Sequence, residues 1–240
     1  MTMTLKQYLK PNTAVRPPVP SPEWWTPTGR SRGKRHFKFA SKASSRGVAI
    51  IDDTAVESEA RAERKGTLVL RARPDTLRVV EQSPQVEYVD ANGVVHPHTF
   101  DLTVFRTDGK KIAVDFKPAA MVKRSGIREL HAVLVRQISP RTADQLLVLT
   151  ERMYTRADLY NAELMHAIAR EDFPKDDEIV LKLIRRMKGP ASIADLVSRS
   201  KLGGYGFNAT VRAIAAGHLR MTQRRLIDYS AVVIPAGTEG

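Results

Sequence analysis

The segment HPHTFDLTVFRTDGKKIAVDFKP, His96 to Pro118, reads as a β-hairpin closed at Asp108-Gly109, a dipeptide that favours tight hairpin turns. Its arms are largely apolar or β-branched, yet they carry Asp101, Asp115 and Lys117. Burying an ionised side chain without a partner is strongly unfavourable, so these three charges need a reason. Asp115 and Lys117 are two apart in a strand and project from one face, while Val114 and Phe116 point to the other. Whether Asp101 joins them depends on the turn. A two-residue loop pairs Thr107 with Lys110 and sets Asp101 opposite Phe116, on the wrong face. A three-residue loop, Asp108 to Lys110, pairs Thr107 with Lys111, sets Asp101 opposite Lys117 and assembles the cluster.

Two carboxylates and a lysine converging on one strand face suit divalent-metal hydrolysis of phosphodiesters. The carboxylates hold one or two Mg²⁺ ions, about 3.5 to 4 Å apart in two-metal sites, which neutralise the phosphate and bind the attacking water. The lysine orients or deprotonates that water and stabilises charge developing on phosphorus. The competing reading of Asp-x-Lys alone is a pair of exposed strand charges with a cross-strand ion pair of little energetic weight. A third carboxylate would complete the ligand set. From Thr54 the pattern turns helical, with Val56, Ala60, Glu63, Thr67 and Leu70 on one stripe, so Glu63 falls among core-facing positions. Gly66 weakens that helix and Pro74-Asp75 ends it.

Working outward, LRVVEQ from Leu77 and EYVD before the turn Ala91-Asn92-Gly93 read as strands. A helix from about Ser125 to Gln137 leads to the apolar strand QLLVLT, Gln145 to Thr150. A strand, a crossover helix and a second apolar strand predict that this last strand lies parallel to the one carrying Asp115. The middle of the chain is thus α/β, a mixed sheet with flanking helices. A further helix spans about Asp158 to Arg170, and Phe173-Pro174-Lys175 reads as a linker.

The 240 residues carry a net charge of +13, unevenly spread. Residues 1 to 50 hold ten Lys/Arg against one acid, residues 51 to 174 eighteen against nineteen, and residues 175 to 240 eleven against six. A neutral core between basic ends suits a polyanionic partner. Residues 11 to 27 contain six prolines and read as an extended arm with Trp24 and Trp25 as anchors. The following Gly29 to Arg46 has seven basic residues and no acid, interleaved with Phe37 and Phe39. Arg30, Arg32, Lys34, Arg35, Lys38 and Lys42 are its candidate contacts to double-stranded DNA, a solvated basic tail being the alternative. The absence of cysteine excludes disulfides and Cys-based zinc sites. No apolar run approaches the ~18 residues of a membrane span, and MTMTLKQYLK lacks the apolar core of a signal peptide. A soluble, cytoplasmic, nucleoid-associated protein with no membrane partner is expected.

The tail changes character. DDEIVLKLIRRMKG, SIADLVSRS and FNATVRAIAAG read as three short helices, and HLRMTQRRLIDYSAVVI as a short hairpin. Three helices and a β-wing predict a winged helix-turn-helix, which serves as a DNA reader or as a protein-docking unit.

Taken in order, an acid-bearing helix with Glu63, VVEQSP (Val79 to Pro84), HTFD (His98 to Asp101), a Gly turn and VDFKP (Val114 to Pro118) resemble the TnsA-type endonuclease subunit of heteromeric transposons. Those motifs span about Phe39 to Thr150, and the two-part layout extends the likeness to nearly the whole chain. The resemblance implies a PD-(D/E)xK nuclease with a restriction-endonuclease-like mixed sheet over residues 39–172, after an N-terminal arm of 1–38 and before a winged-helix domain over 173–240. Residue by residue, it makes Glu63 the helix ligand, with Glu59 one turn earlier as the competing register, Asp101 and Asp115 the strand acids, and Lys117 the lysine. Gln82 takes a structural or water-positioning role. Two positions depart from the family: Phe100 stands where proline is usual and Asp115 where glutamate or glutamine is usual. His96 and His98 read as strand-edge residues near the site, with metal ligation or phosphate binding as the alternative, and Asn161 and Ala162 read as packing residues.

The activity implied is Mg²⁺-dependent hydrolysis, with Mn²⁺ substituting, at the 5′ ends of a transposon. Implied partners are the transposon-end DNA, an integrase-type transposase that cuts and joins the 3′ ends, and an AAA+ ATPase regulator bound through the C-terminal part. A restriction or repair nuclease, and a non-catalytic DNA-binding regulator, are the rival expectations.

Overall fold

The structure, a computed structural model, describes residues 47–51, 54–58, 61–169 and 173–237. The N-terminal arm with Trp24 and Trp25, the basic strip from Arg30 to Lys42, and Glu59 lie outside the described residues.

Strands β1 (Gly47–Ile51) and β2 (Thr54–Ser58) form an antiparallel pair, and α1 (Arg61–Arg71) follows. The helical stripe expected from Thr54 therefore begins only at Arg61. Thr54 to Ser58 has β-branched residues at Thr54 and Val56 and has GVAII as a ready strand partner, with Val56 across from Ala49. Cross-strand pairing outweighs a helical spacing that rested on few residues.

Next come β3 (Thr76–Glu81), the hairpin β4 (Gln85–Val89) and β5 (Val95–Thr99), then β6 (Leu102–Arg106) and β7 (Lys111–Phe116). A short helix α2 (Ala119–Val122) and the longer α3 (Ile127–Gln137) cross over to β8 (Gln145–Leu149). The main sheet has the order β3-β6-β7-β8, antiparallel except that β8 runs parallel to β7, as the crossover pattern predicts. The β4–β5 pair stands apart as its own two-stranded sheet.

Alternation along these strands gives the sheet two different faces. Val79, Leu102, Val104, Val114, Phe116 and Leu149 lie on one face and pack with Leu68 and Leu70 of α1 and Ala162 of α4 (Arg156–Ile168). On the other face Ala113 packs with Phe100, Ala143 and Leu134 of α3. Gly66 makes the first arrangement possible. A Cβ at that position would overlap the Phe116 ring and the Leu149 side chain, so the mid-helix glycine is what lets α1 lie directly on β7 and β8.

Helix α4 starts at a capping box, Thr155 with Asp158, in which each side chain holds the other's backbone N–H. Its C-terminal part joins a second core with α5 (Pro174–Arg185), α6 (Ile193–Ser200) and α7 (Gly204–Ala215). A three-stranded antiparallel sheet of β9 (Ala191–Ser192), β10 (Leu219–Met221) and β11 (Val232–Pro235), in the order β10-β11-β9, closes this second layer. Two local expectations change here. Pro174 is the first residue of α5 and not a linker, because its fixed φ and missing N–H suit that position, with Asp176 and Asp177 in the same turn. Helix α7 begins at Gly204, three residues before the expected Phe207, and its first turn includes Gly206, which lies against Ser200 where a Cβ would clash.

Asn161 does more than pack. Its Nδ2–H donates to the Arg225 carbonyl and its Oδ1 accepts from the Ile227 N–H, both at 2.8 Å, while Asp158 pairs with Arg224. The β10–β11 loop is thereby tied to the helix that also covers the main sheet. No helix among the described residues is long and apolar enough to cross a membrane.

Replacing Gly66 with alanine tests the α1 contact. Helix propensity alone favours the change by about 1 kcal/mol, but overpacking a core costs about 1–3 kcal/mol. We expect a net loss in denaturant-measured stability, and a gain would contradict the contact with Phe116.

Candidate active site

The turn between β6 and β7 decides whether the charged residues meet. Arg106 N–H donates to the Lys110 carbonyl at 2.9 Å, Gly109 N–H donates to the Arg106 carbonyl at 3.1 Å, and Gly109 has a left-handed φ of 83°. The loop is therefore three residues, Thr107 to Gly109, followed by pairs Phe105–Lys111 through Leu102–Val114. An odd-length loop was needed, and one is present. It starts one residue earlier than expected, so Asp101 falls across from Asp115 and not from Lys117. The face is the same, because the register differs by two.

Asp101 sits where the chain bends into β6. Its Oδ2 accepts the Phe116 N–H at 2.8 Å, replacing a ladder hydrogen bond, and its carbonyl accepts the Gln82 N–H at 2.8 Å. Gln82 is buried and adopts a positive φ of 45°, uncommon for a residue with a Cβ. Neighbouring bonds support the same bend, from Thr103 Oγ1–H to the Ser83 carbonyl at 2.6 Å and from Phe100 N–H to the Pro84 carbonyl at 3.1 Å. The EQSP segment thus shapes the backbone on both sides of Asp101, with Gln82 acting through its main chain.

Asp115, in the middle of the sheet, is only 2% exposed. Its Oδ2 accepts hydrogen bonds from His131 Nε2 at 2.7 Å and His98 Nε2 at 3.0 Å. Burial pushes its carboxyl up, but those two hydrogen bonds and the histidine charges hold it below the usual carboxylate range. Asp101 goes the other way. Burial raises it to about 6, and the Asp115 charge adds to that rise, against the pull of the Phe116 N–H, Lys117 and His98. Lys117 follows β7 directly, with its N–H donating to the Leu149 carbonyl at 3.0 Å. Asp101, Asp115 and Lys117 are thus brought together, with His98 beside them.

Glu63 is half-buried in the first turn of α1, one turn before Gly66. The charges of Asp115, Lys117 and His98 act on Asp101, and those of His98 and His131 on Asp115. His96 is engaged elsewhere, with Asp90 at 2.9 Å. Among the described residues no three histidine, aspartate or glutamate side chains are arranged as a metal-holding group.

His131 was not expected from the sequence. Its signal was a single histidine on the stripe Ile127, Leu130, His131 and Leu134, the face that a β7-to-β8 crossover helix must turn toward the sheet. Glu151, also unforeseen, accepts the Ala119 N–H at 2.9 Å just beyond Lys117 and so caps the chain's exit from β7. In comparisons with known proteins, no family model and no curated protein matches the chain.

The raised Asp101 has a measurable consequence. Its folded pKa of about 6 lies above the ordinary carboxylate value of 3.8, so between those pH values the unfolded chain loses its proton first. Stability in chelator should therefore fall as pH rises from about 4 to about 6, by on the order of 2–3 kcal/mol at about 1.4 kcal/mol per unit. Asp101→Asn keeps an acceptor for Phe116 N–H and should lack this loss. Parallel pH profiles of wild type and variant in urea unfolding would contradict the assignment.

Proposed function

We propose that this chain is a divalent-metal-dependent DNA endonuclease of the TnsA type, cutting at the 5′ ends of a transposon. The observation that carries the reading is the convergence of Asp101, Asp115 and Lys117 where β6 begins and β7 leads into Lys117. The element order supports it: a helix, three antiparallel strands, a crossover helix and a parallel fourth strand, α1-β3-β6-β7-α3-β8, with β4–β5 inserted. That order is in keeping with the mixed sheet and flanking helices expected of a PD-(D/E)xK core.

The donor set fits a cation. Two carboxylates lie close enough for the charge of Asp115 to push Asp101 up, and both are shielded from water, an arrangement that a divalent ion relieves. Phe116 N–H engages one oxygen of Asp101, and the two histidines engage one oxygen of Asp115. The Oδ1 atoms of both are left as the proposed ligands for Mg²⁺ or Mn²⁺, with Glu63 as the third carboxylate that the resemblance adds. When bound, the ion would neutralise a phosphate and acidify the attacking water. Asp115 is kept ionised for that task. Lys117, whose positive charge acts at Asp101, would hold the nucleophilic water or donate to a phosphate oxygen as charge grows there.

The C-terminal order α5-β9-α6-α7-β10-β11 supports the winged-helix reading. In such modules the helix at the position of α7 commonly enters the DNA groove. Here most of the α7 face is buried, and Arg212, its one basic residue, donates to Asp177 at 2.8 Å. This favours a protein-docking role, in keeping with the AAA+ ATPase partner, and leaves DNA contact to the basic N-terminal strip.

The test is a nicking assay on transposon-end DNA with Mg²⁺ or Mn²⁺, with the transposase and ATPase subunits present. Asp115→Asn and Lys117→Ala should each reduce 5′-end cutting by about 100-fold or more, the scale expected for removing a group that acts on the reacting atoms. Undiminished cutting by both variants would overturn the site.

A further inference from the structure

The two histidines are not accounted for by the proposed nuclease chemistry, yet they are the direct partners of its most buried acid. Both reach the same atom, Asp115 Oδ2, from different parts of the chain: His98 from β5 and His131 from α3. Their side chains are only 16% and 11% exposed. An ionised carboxylate can only accept, so each Nε2 must carry a proton.

Neither ring is free to drift. Phe100, fully buried, meets His98 edge-on at 4.6 Å between centroids and His131 at 5.8 Å. The elements carrying the histidines are themselves tied together. Gln137 of α3 accepts the Val89 N–H at 2.8 Å and donates to the Val89 carbonyl at 2.9 Å, so its amide completes the edge of the β4–β5 hairpin as another strand would. Phe100 and Asp115, the two positions that depart from the resembling family, thus belong to one packed unit with the two histidines.

We propose that His98 and His131 are positioning residues of the metal site: together they occupy Asp115 Oδ2 and hold the side chain in one orientation, leaving Oδ1 to bind the divalent cation. The shorter aspartate reaches its ligand position because two imidazoles fix it from behind. This inference rests on the nuclease reading above, since it needs Asp115 to be a ligand. Groups that orient a metal ligand typically change metal affinity ~10–100-fold when removed.

The experiment titrates the full chain with Mn²⁺ at a fixed, mildly alkaline pH and reads bound ion by electron paramagnetic resonance. His98→Phe and His131→Phe keep a ring against Phe100 and remove the donor. His98→Gln and His131→Gln place an amide N–H near the lost Nε2. We expect ~10–100-fold weaker Mn²⁺ binding in the phenylalanine variants and recovery to within a few-fold of wild type in the glutamine variants. Phenylalanine variants that bind Mn²⁺ like wild type, or glutamine variants no better than phenylalanine, would overturn the proposal. If wild type shows no Mn²⁺ binding that Asp115→Asn abolishes, the nuclease reading itself fails and takes this inference with it. A measurement on the unsubstituted, metal-free chain needs no variant to fold: two-bond ¹H–¹⁵N spectra should show a proton on Nε2 of both rings. A bare Nε2 on either ring would also overturn the proposal.

Discussion

Burying a carboxylate at the centre of a sheet is the constraint that organises this protein. Asp115 is 2% exposed and flanked on β7 by Val114 and Phe116, so its oxygens must find donors on one face while the other face is sealed. The donor face recruits β5 and α3, and Gln137 clamps α3 to β4, the partner strand of β5 in its hairpin. The sealed face needs a helix pressed onto Phe116, which Gly66 permits. The chain bends at Asp101 as it enters β6, and the Asp101 side chain accepts the Phe116 N–H just beyond the last β6–β7 backbone pair, Leu102–Val114.

The opposite behaviour of the two aspartates follows from which donors they receive. Asp115 has two imidazoles and stays ionised, whereas Asp101 has one backbone N–H and faces the charge of its neighbour. Paired acids driven apart in this way are a familiar signature of sites that handle charge. Lys117 offsets part of the repulsion. Two buried carboxylates held side by side are the physical argument for the proposed cation at this place, and it does not depend on any likeness to other proteins.

Much of this could be read in the sequence, and the misses have physical causes. Alternation in DLTVF and KIAVDFK separates the charged face from the apolar one, and strand, helix and strand in succession imply the parallel β8. The Asp108-Gly109 turn also marks the hairpin. Its starting residue does not follow from the turn dipeptide, because both three-residue loops place a residue at positive φ near Gly109 and differ only in which carbonyl closes the turn. His131 was hidden because a histidine on a helix stripe has no local mark of its partner, which lies 16 residues away on β7. The stretch from Thr54 was misread because its strand partner, GVAII, carries no strong turn signal to announce the pairing. The link between the main sheet and the C-terminal layer was missed in a similar way, since the bonds of Asn161 reach the loop around Arg225 and Ile227.

The central claim is that Asp101 and Asp115 form one cation site, and crystals grown with Mn²⁺ test it most directly. Anomalous scattering should show an ion within about 2.5 Å of an oxygen of each aspartate, the range for hard cations on carboxylates. Strong Mn²⁺ peaks elsewhere with none between the two aspartates would contradict it.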